Sequence, residues 1–193
     1  MRKTRRHVKP VTCLLLAMLC LAGAFFAPEV IGAVGRRLYP RGYEEIVRTY
    51  AAEYGVEENI VYAVIRTESG FSSHAESQVG ARGLMQITDE TFEWIKSKIA
   101  AQEELSFDDM FDPRTNIRFG TYLLSVCLAR YGNDLPTAAA AYHSGMGLVD
   151  GLLQKAENSQ DGKTLSAFPY NQMNRYVYKI QKNYQKYCSL YAA

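Results

Sequence analysis

The sequence has no cysteines or histidines clustered at metal-ligand spacing, no stretch that alternates apolar with polar residues, and no internal repeat. Each absence excludes a class of protein. Without clustered ligands there is no basis for a metal centre, and His74 and His143 stand apart as lining or surface residues. Without a period of two there is no pattern from which to build a sheet, and without a repeat there is none for a solenoid. Cysteine is scarce, four in 193 residues, and Cys13 and Cys20 fall in an apolar run near the start. Cys127 and Cys188 remain, either paired in an oxidising space or present as two thiols. The one polar low-complexity stretch covers residues 158–164.

A large basic surface is also missing once the charges are placed. Seven of the 22 Lys and Arg precede residue 38, together with one of the 20 acids, so the remainder holds 15 basic and 19 acidic residues and a net charge of −4. The overall +2 therefore conceals an acidic body, and no nucleic-acid partner is expected. The early cations form a basic stretch over 1–10, followed by an uncharged apolar run whose character persists to about residue 34. This pattern predicts a signal anchor or transmembrane helix over 11–34. It places the chain in the cytoplasmic membrane as a single-pass protein with everything after Arg37 outside. The alternative is secretion after cleavage at Ala22-Gly23-Ala24. Leu19 is too bulky to make Cys20 a lipoprotein site. A linker over 35–42, an outer domain over 43–187 and a tail over 188–193 complete the expected organisation. With 48% apolar content the outer part can support one core.

That domain reads as all-α. Apolar residues recur at helical spacing over 43–54, with Gly55 as a stop, and again over 59–67. Thr88 is placed to cap a helix through Ile99, and Asp112-Pro113 to cap one running to Tyr131. Further helices are expected over 135–142, 148–156 and 169–187. The small-residue segments 77–87 and 141–145 interrupt them, and read either as loops of a site or as turns that permit tight helix packing.

Glu68 ends the second of these helices, in Val64-Ile65-Arg66-Thr67-Glu68-Ser69-Gly70-Phe71. A carboxyl at the C-terminal end of a mostly buried helix loses water and faces the negative end of the helix dipole. Both effects favour the protonated form, which makes it a candidate general acid. Taken alone, such a glutamate is equally an ordinary solvated helix-end residue.

The surrounding motifs separate these readings. Thr67-Glu68-Ser69-Gly70-Phe71, Ala75-Glu76-Ser77, Gly80-Ala81-Arg82-Gly83-Leu84-Met85-Gln86-Ile87, Asn116-Ile117 with Gly120 and Tyr122-Leu123, Ala141-Tyr142-His143-Ser144-Gly145 and Arg175-Tyr176-Val177 occur in order. Together they resemble the soluble lytic transglycosylase family, which is related to goose-type lysozyme, over about residues 43–187. The anchor followed by a lone domain is similar to membrane-bound members in Gram-positive bacteria. The resemblance implies a compact lysozyme-like helical fold, peptidoglycan glycan strands as partner, and no cofactor or metal. It also implies a lyase reaction that cleaves the β-1,4 bond between N-acetylmuramic acid and N-acetylglucosamine without water, leaving 1,6-anhydro ends. Glu68 would serve first as acid and then as base.

The same resemblance makes Ser77, Met85, Gln86, Tyr142, His143, Gln172 and Tyr176 candidate substrate-binding residues. Tyr142 matches a tyrosine whose hydroxyl lies near the catalytic carboxyl, and Gln86 is suited to an acetamido group. The chain departs from the family pattern in two places. His143-Ser144 stands where Asn-Ala is usual, and Gln172 where a glutamate opens the last helix, so a second cleft carboxylate is absent there. Two alternatives stay open: a hydrolytic muramidase that keeps Glu68 but uses water on the same bond, and a glycan-binding module with an impaired site, which the two departures favour. No protein partner is legible in the sequence.

Overall fold

The computed structural model describes residues 10–191; within the first helix, side chains are described at Met18 and from Phe25 onward. Two compact units divide at Pro40–Arg41. The first consists of α1 (Pro10–Leu38), which carries Pro28 within it and ends on Arg36 and Arg37. Most of the apolar run behind the anchor expectation lies outside the described side chains; among the described residues no helix is long and apolar enough to cross a membrane. The linker expected over 35–42 is non-helical only from Tyr39, because α1 continues through Leu38.

The second unit is all-helical: α2 (Glu44–Tyr54), α3 (Glu58–Glu68), α4 (Asp89–Ile99), a 3₁₀ turn (Phe107–Phe111), α5 (Pro113–Arg130), α6 (Leu135–Ser144), α7 (Met146–Leu153) and α8 (Asn171–Tyr191). Its starts follow from local chemistry. Asp112 accepts from the Thr115 amide at 2.8 Å, and Asp134 from the Thr137 amide at 2.9 Å, each with proline in the first turn. These side chains satisfy backbone donors that a helix start leaves open. The 3₁₀ turn is held by a capping box between Ser106 and Asp109. At the other end α8 runs to Tyr191, through much of the expected tail. Tyr191 stacks on Tyr187 at 6.0 Å and carries the Arg41 guanidinium 4.3 Å above its ring.

Helix α3 runs through the centre. Val61 to Ile65 are all fully buried, so the middle of this short helix is apolar all round and must be surrounded. It packs on α8, which in turn packs on α6. Ala138 to Ala141 are buried and bring little bulk, which lets α6 lie close to both α5 and α8. A second apolar cluster of Ile87, Phe92, Ile95, Met110 and Phe119 fixes α4 and the 3₁₀ turn to α5. The two groups leave a furrow between the end of α3, the 75–87 loop, α4 and the end of α6.

Candidate active site

Glu68 is the last residue of α3, and the chain turns away immediately after it through Gly70 (φ 58°) and Phe71 (φ 73°). The Ser69 hydroxyl donates to the Leu84 carbonyl at 2.8 Å, tying the end of α3 to the 75–87 loop. That loop is built around buried Asn116. Its amide nitrogen donates to the carbonyls of Arg82 (2.9 Å) and Met110 (2.8 Å), and its oxygen accepts from the Met85 amide at 2.7 Å. Gly83, at φ 77°, passes so near that a Cβ there would overlap the Met110 carbonyl and the Asn116 amide. Gly120 similarly makes room for Met85, whose sulfur occupies the space a Cβ would need.

The Glu68 carboxyl is half-buried, and the Tyr176 hydroxyl donates to its Oε1 at 2.6 Å. Loss of water pushes its pKa from 4.5 up to about 7, against the opposing pull of the Tyr176 hydrogen bond and the positive charge of Lys179. Burial, with the nearby Glu68 charge, holds the phenols of Tyr176 and Tyr142 well above their ordinary range, so both remain hydrogen-bond donors. The Tyr142 hydroxyl is used elsewhere: it donates to the Met85 carbonyl at 2.8 Å. The hydroxyl bonded to the carboxyl is therefore that of Tyr176, on the last helix, while Tyr142 lies near enough to feel the Glu68 charge.

A cleft of about 640 Å³ opens onto Glu68, and Ser77, Gln86, Tyr142 and His143 share its wall. Ser77 is held by reciprocal bonds with Ala81: its oxygen accepts the Ala81 amide at 3.0 Å, and its own amide donates to the Ala81 carbonyl at 2.9 Å. Gln86 sits at φ 51° and donates through its side-chain nitrogen to the carbonyls of Gly83 (2.9 Å) and Ala75 (3.2 Å). Its amide oxygen is left as an acceptor. The His143 ring lies flat on Tyr176, with centroids 4.4 Å apart and an angle of 11° between planes. Burial lowers its pKa, which favours the neutral imidazole.

Two predicted residues lie apart from the acid. The Met85 side chain is fully buried against Gly120 and meets the cleft region only through the backbone that Tyr142 grips. Gln172 is exposed at the start of α8 and lines a separate depression of about 520 Å³, with Leu148 and Tyr170; His143 belongs to both walls. Sequence reasoning missed Trp94 and Glu90, both on α4 and both lining the cleft with Glu68. The helical period placed Trp94 on its helix, but no local signal shows that α4 folds against the α3 terminus. Cys127 and Cys188 are both free; burial pushes the Cys127 thiol up to about 12. A third depression, of about 700 Å³, lies near Arg130 and Asp150, which pair with one another.

Residues 45–165 match the model of the transglycosylase SLT domain. The chain belongs to this family. Membrane-bound lytic murein transglycosylase C of Yersinia pestis (strain Pestoides F) is 32% identical over 168 aligned residues, 75% of this chain and 47% of the relative. The same figures hold for its counterpart in Yersinia pseudotuberculosis serotype O:1b. The chain thus spans about half the length of the curated relatives it matches. Among solved structures, an inactive glutamate-to-glutamine mutant of the lytic transglycosylase Slt from Pseudomonas aeruginosa superposes with a TM-score of 0.69 and 26% identity, covering 78% of this chain and 24% of that one. The 70 kDa soluble lytic transglycosylase of Escherichia coli gives a TM-score of 0.72 at 24% identity, covering 80% of this chain and 25% of that one; that likeness is one of fold.

Proposed function

We propose that the domain is a peptidoglycan lytic transglycosylase that uses Glu68 as its one acid and base. The observation that carries this reading is a half-buried carboxyl whose pKa lies near 7, beside a cleft large enough for a disaccharide. The family, the names of the relatives and the inactivity of a glutamate-to-glutamine mutant in a structural neighbour support it.

Protonated Glu68 gives its proton to the glycosidic oxygen as the C1–O bond breaks, and positive charge develops on the muramic ring. The C6 hydroxyl of the same ring then closes on C1. Its proton passes to the Glu68 carboxylate, which restores the acid and leaves a 1,6-anhydro end. No water is consumed. A resting carboxyl that stays protonated near neutral pH suits the first step, and the Tyr176 hydrogen bond suits the second by stabilising the carboxylate in between. The Gln86 amide oxygen is available to an acetamido N–H, and Ser77 and Tyr142 flank the same wall. Gln172, in the adjoining depression, would meet a more distant part of the strand. The substrate places the domain on the wall side of the membrane, held there by the apolar segment before residue 35.

Glu90 favours keeping one competing reading. It is a second carboxylate on the cleft, and a hydrolase uses such a group to activate water. Digestion of purified sacculi with the wild-type chain and with Glu68→Gln, followed by mass spectrometry, separates the possibilities. Anhydro ends that vanish in the variant are expected. Reducing ends would establish hydrolysis, undiminished release by the variant would remove Glu68 from the mechanism, and binding without turnover would leave a glycan-binding module.

A further inference from the structure

Glu68 is reached by a chain of two rings. The Tyr176 hydroxyl bonds its carboxyl at 2.6 Å, and His143 covers the face of Tyr176 at 4.4 Å and 11°. This stack is the ring contact that Tyr176 makes among the described residues. It also joins separate helices: His143 lies in the last turn of α6, Tyr176 lies on α8 and Glu68 ends α3.

A tyrosine hydroxyl sits at the end of a long lever, so a small change in χ1 moves it by an ångström or more, while rotation about χ2 leaves the oxygen on its axis but turns the ring and the plane in which the O–H points. A flat neighbour at stacking distance restricts both motions. Among the described residues neither nitrogen of the His143 ring has a hydrogen bond, and no ion pair links it to a carboxylate. Its role inside the protein is therefore carried by its face. The ionisable groups around the stack are Glu68 from α3, Tyr142 from α6 itself, Cys127 from α5 and Lys179 from α8; Glu90 from α4 shares the cleft.

We infer that His143 is a positioning residue: by stacking on Tyr176 it holds the phenol hydroxyl on Glu68 and so tunes the readiness of that carboxyl to give up its proton. The residue that stands here must then present the broad flat face of a ring, and the small planar amide of an asparagine covers less of Tyr176. The direction of the effect follows from the hydrogen bond. Donation from Tyr176 favours the carboxylate and lowers the Glu68 pKa, so loosening the donor must let that pKa rise.

The inference rests on the proposed role of Glu68, but its test does not need turnover. The full-length chain, labelled with ¹³C at glutamate carboxyls, is titrated by NMR, with the Glu68 signal identified by its loss in Glu68→Gln. His143→Ala and Tyr176→Phe are each expected to move the Glu68 midpoint upward by about half a pH unit or more, and the double variant no further than Tyr176→Phe alone. His143→Phe, which keeps a flat ring, is expected to restore the wild-type midpoint. On sacculi, His143→Ala is expected to lower kcat about 10-fold with little change in KM, and His143→Phe to recover it. A midpoint in His143→Ala that is unchanged or lower while that of Tyr176→Phe rises would overturn the inference, as would a shift that His143→Phe fails to reverse. If Glu68→Gln retains full activity, the catalytic reading falls while the titration still decides whether the stack governs the carboxyl.

Discussion

The hydroxyl of Tyr176 donates to Oε1 of Glu68 across 2.6 Å and 108 residues of sequence, and it does so while burial holds the carboxyl at a pKa of about 7. Two opposing influences therefore meet at one oxygen. Burial retains the proton, and the phenol eases its departure. Activity should accordingly fall as pH rises through about 7, because the acid form disappears there. Initial rates of anhydromuropeptide release from sacculi between pH 5 and 9 measure this directly. A rate that is flat to pH 9 would contradict the assignment of Glu68 as the acid.

The same carboxyl should cost the fold stability when ionised. Its folded pKa is raised from 4.5 to about 7, so its favourable contribution is complete below 4.5 and is lost as pH rises through 7. Glu68→Gln removes the ionisation and keeps the shape. The variant should match the wild type near pH 4 and exceed it at pH 8, by up to roughly 3 kcal/mol. Urea midpoints at the two values test the sign: a variant less stable at pH 8 would mean that the carboxylate is better solvated than its burial implies.

How much of this could be read from the sequence depends on the range of the interaction. Asp112-Pro113 and Thr88 located their helices because a cap is decided within four residues, and α5 ends one residue before the Tyr131 expected of it. The 3₁₀ turn was missed: five residues carry no period, and only Ser106 with Asp109 marks it. Glu68 was legible because its address at the end of an apolar helix is local. The hydrogen bond from Tyr176, the burial of Met85 and the arrival of Trp94 at the cleft are not local. Each depends on how α8, α5 and α4 pack on α3, which no single stretch encodes.

Gly83 and Gly80 offer a controlled comparison of backbone strain with overlap. Both have positive φ, 77° and 76°, but a Cβ at Gly80 meets open space whereas one at Gly83 meets Met110 and Asn116. Gly80→Ala should cost only about 1 kcal/mol, the penalty of the left-handed conformation. Gly83→Ala adds the displacement of a buried network and should cost at least about 3 kcal/mol. Equal denaturation midpoints for the two variants would show that the loop yields freely.

Asn116 should be costly to lose for a related reason. Replacing it with alanine strands the Met85 amide and the Met110 carbonyl in the interior and removes one of the two donors to the Arg82 carbonyl, which keeps the Ile87 amide. Buried groups without partners lead to an expected loss of about 3 kcal/mol in denaturant unfolding. Because Met85 precedes Gln86 and accepts from Tyr142, activity should fall at temperatures where the variant remains folded. Stability within about 0.5 kcal/mol of wild type would mean that the loop re-forms its bonds another way.

Trp94 provides the last test, and one directed at substrate rather than at chemistry. It is the chain's one tryptophan, half-buried on α4, with its ring tilted on Tyr122 at 6.1 Å and packed against the Phe92 cluster, and it also lines the Glu68 cleft. An indole fixed from behind in this way offers a flat apolar surface to the C–H face of a sugar ring, at little cost in conformational freedom. No hydrogen bond joins it to Glu68 or Tyr176 among the described residues. Trp94→Ala should therefore raise KM for soluble glycan strands by roughly 10-fold with kcat little changed, and Trp94→Phe should recover most of the loss. A fall in kcat at constant KM would instead mean that Trp94 matters through the packing of α4, and that the glycan is held by the polar wall of Ser77 and Gln86.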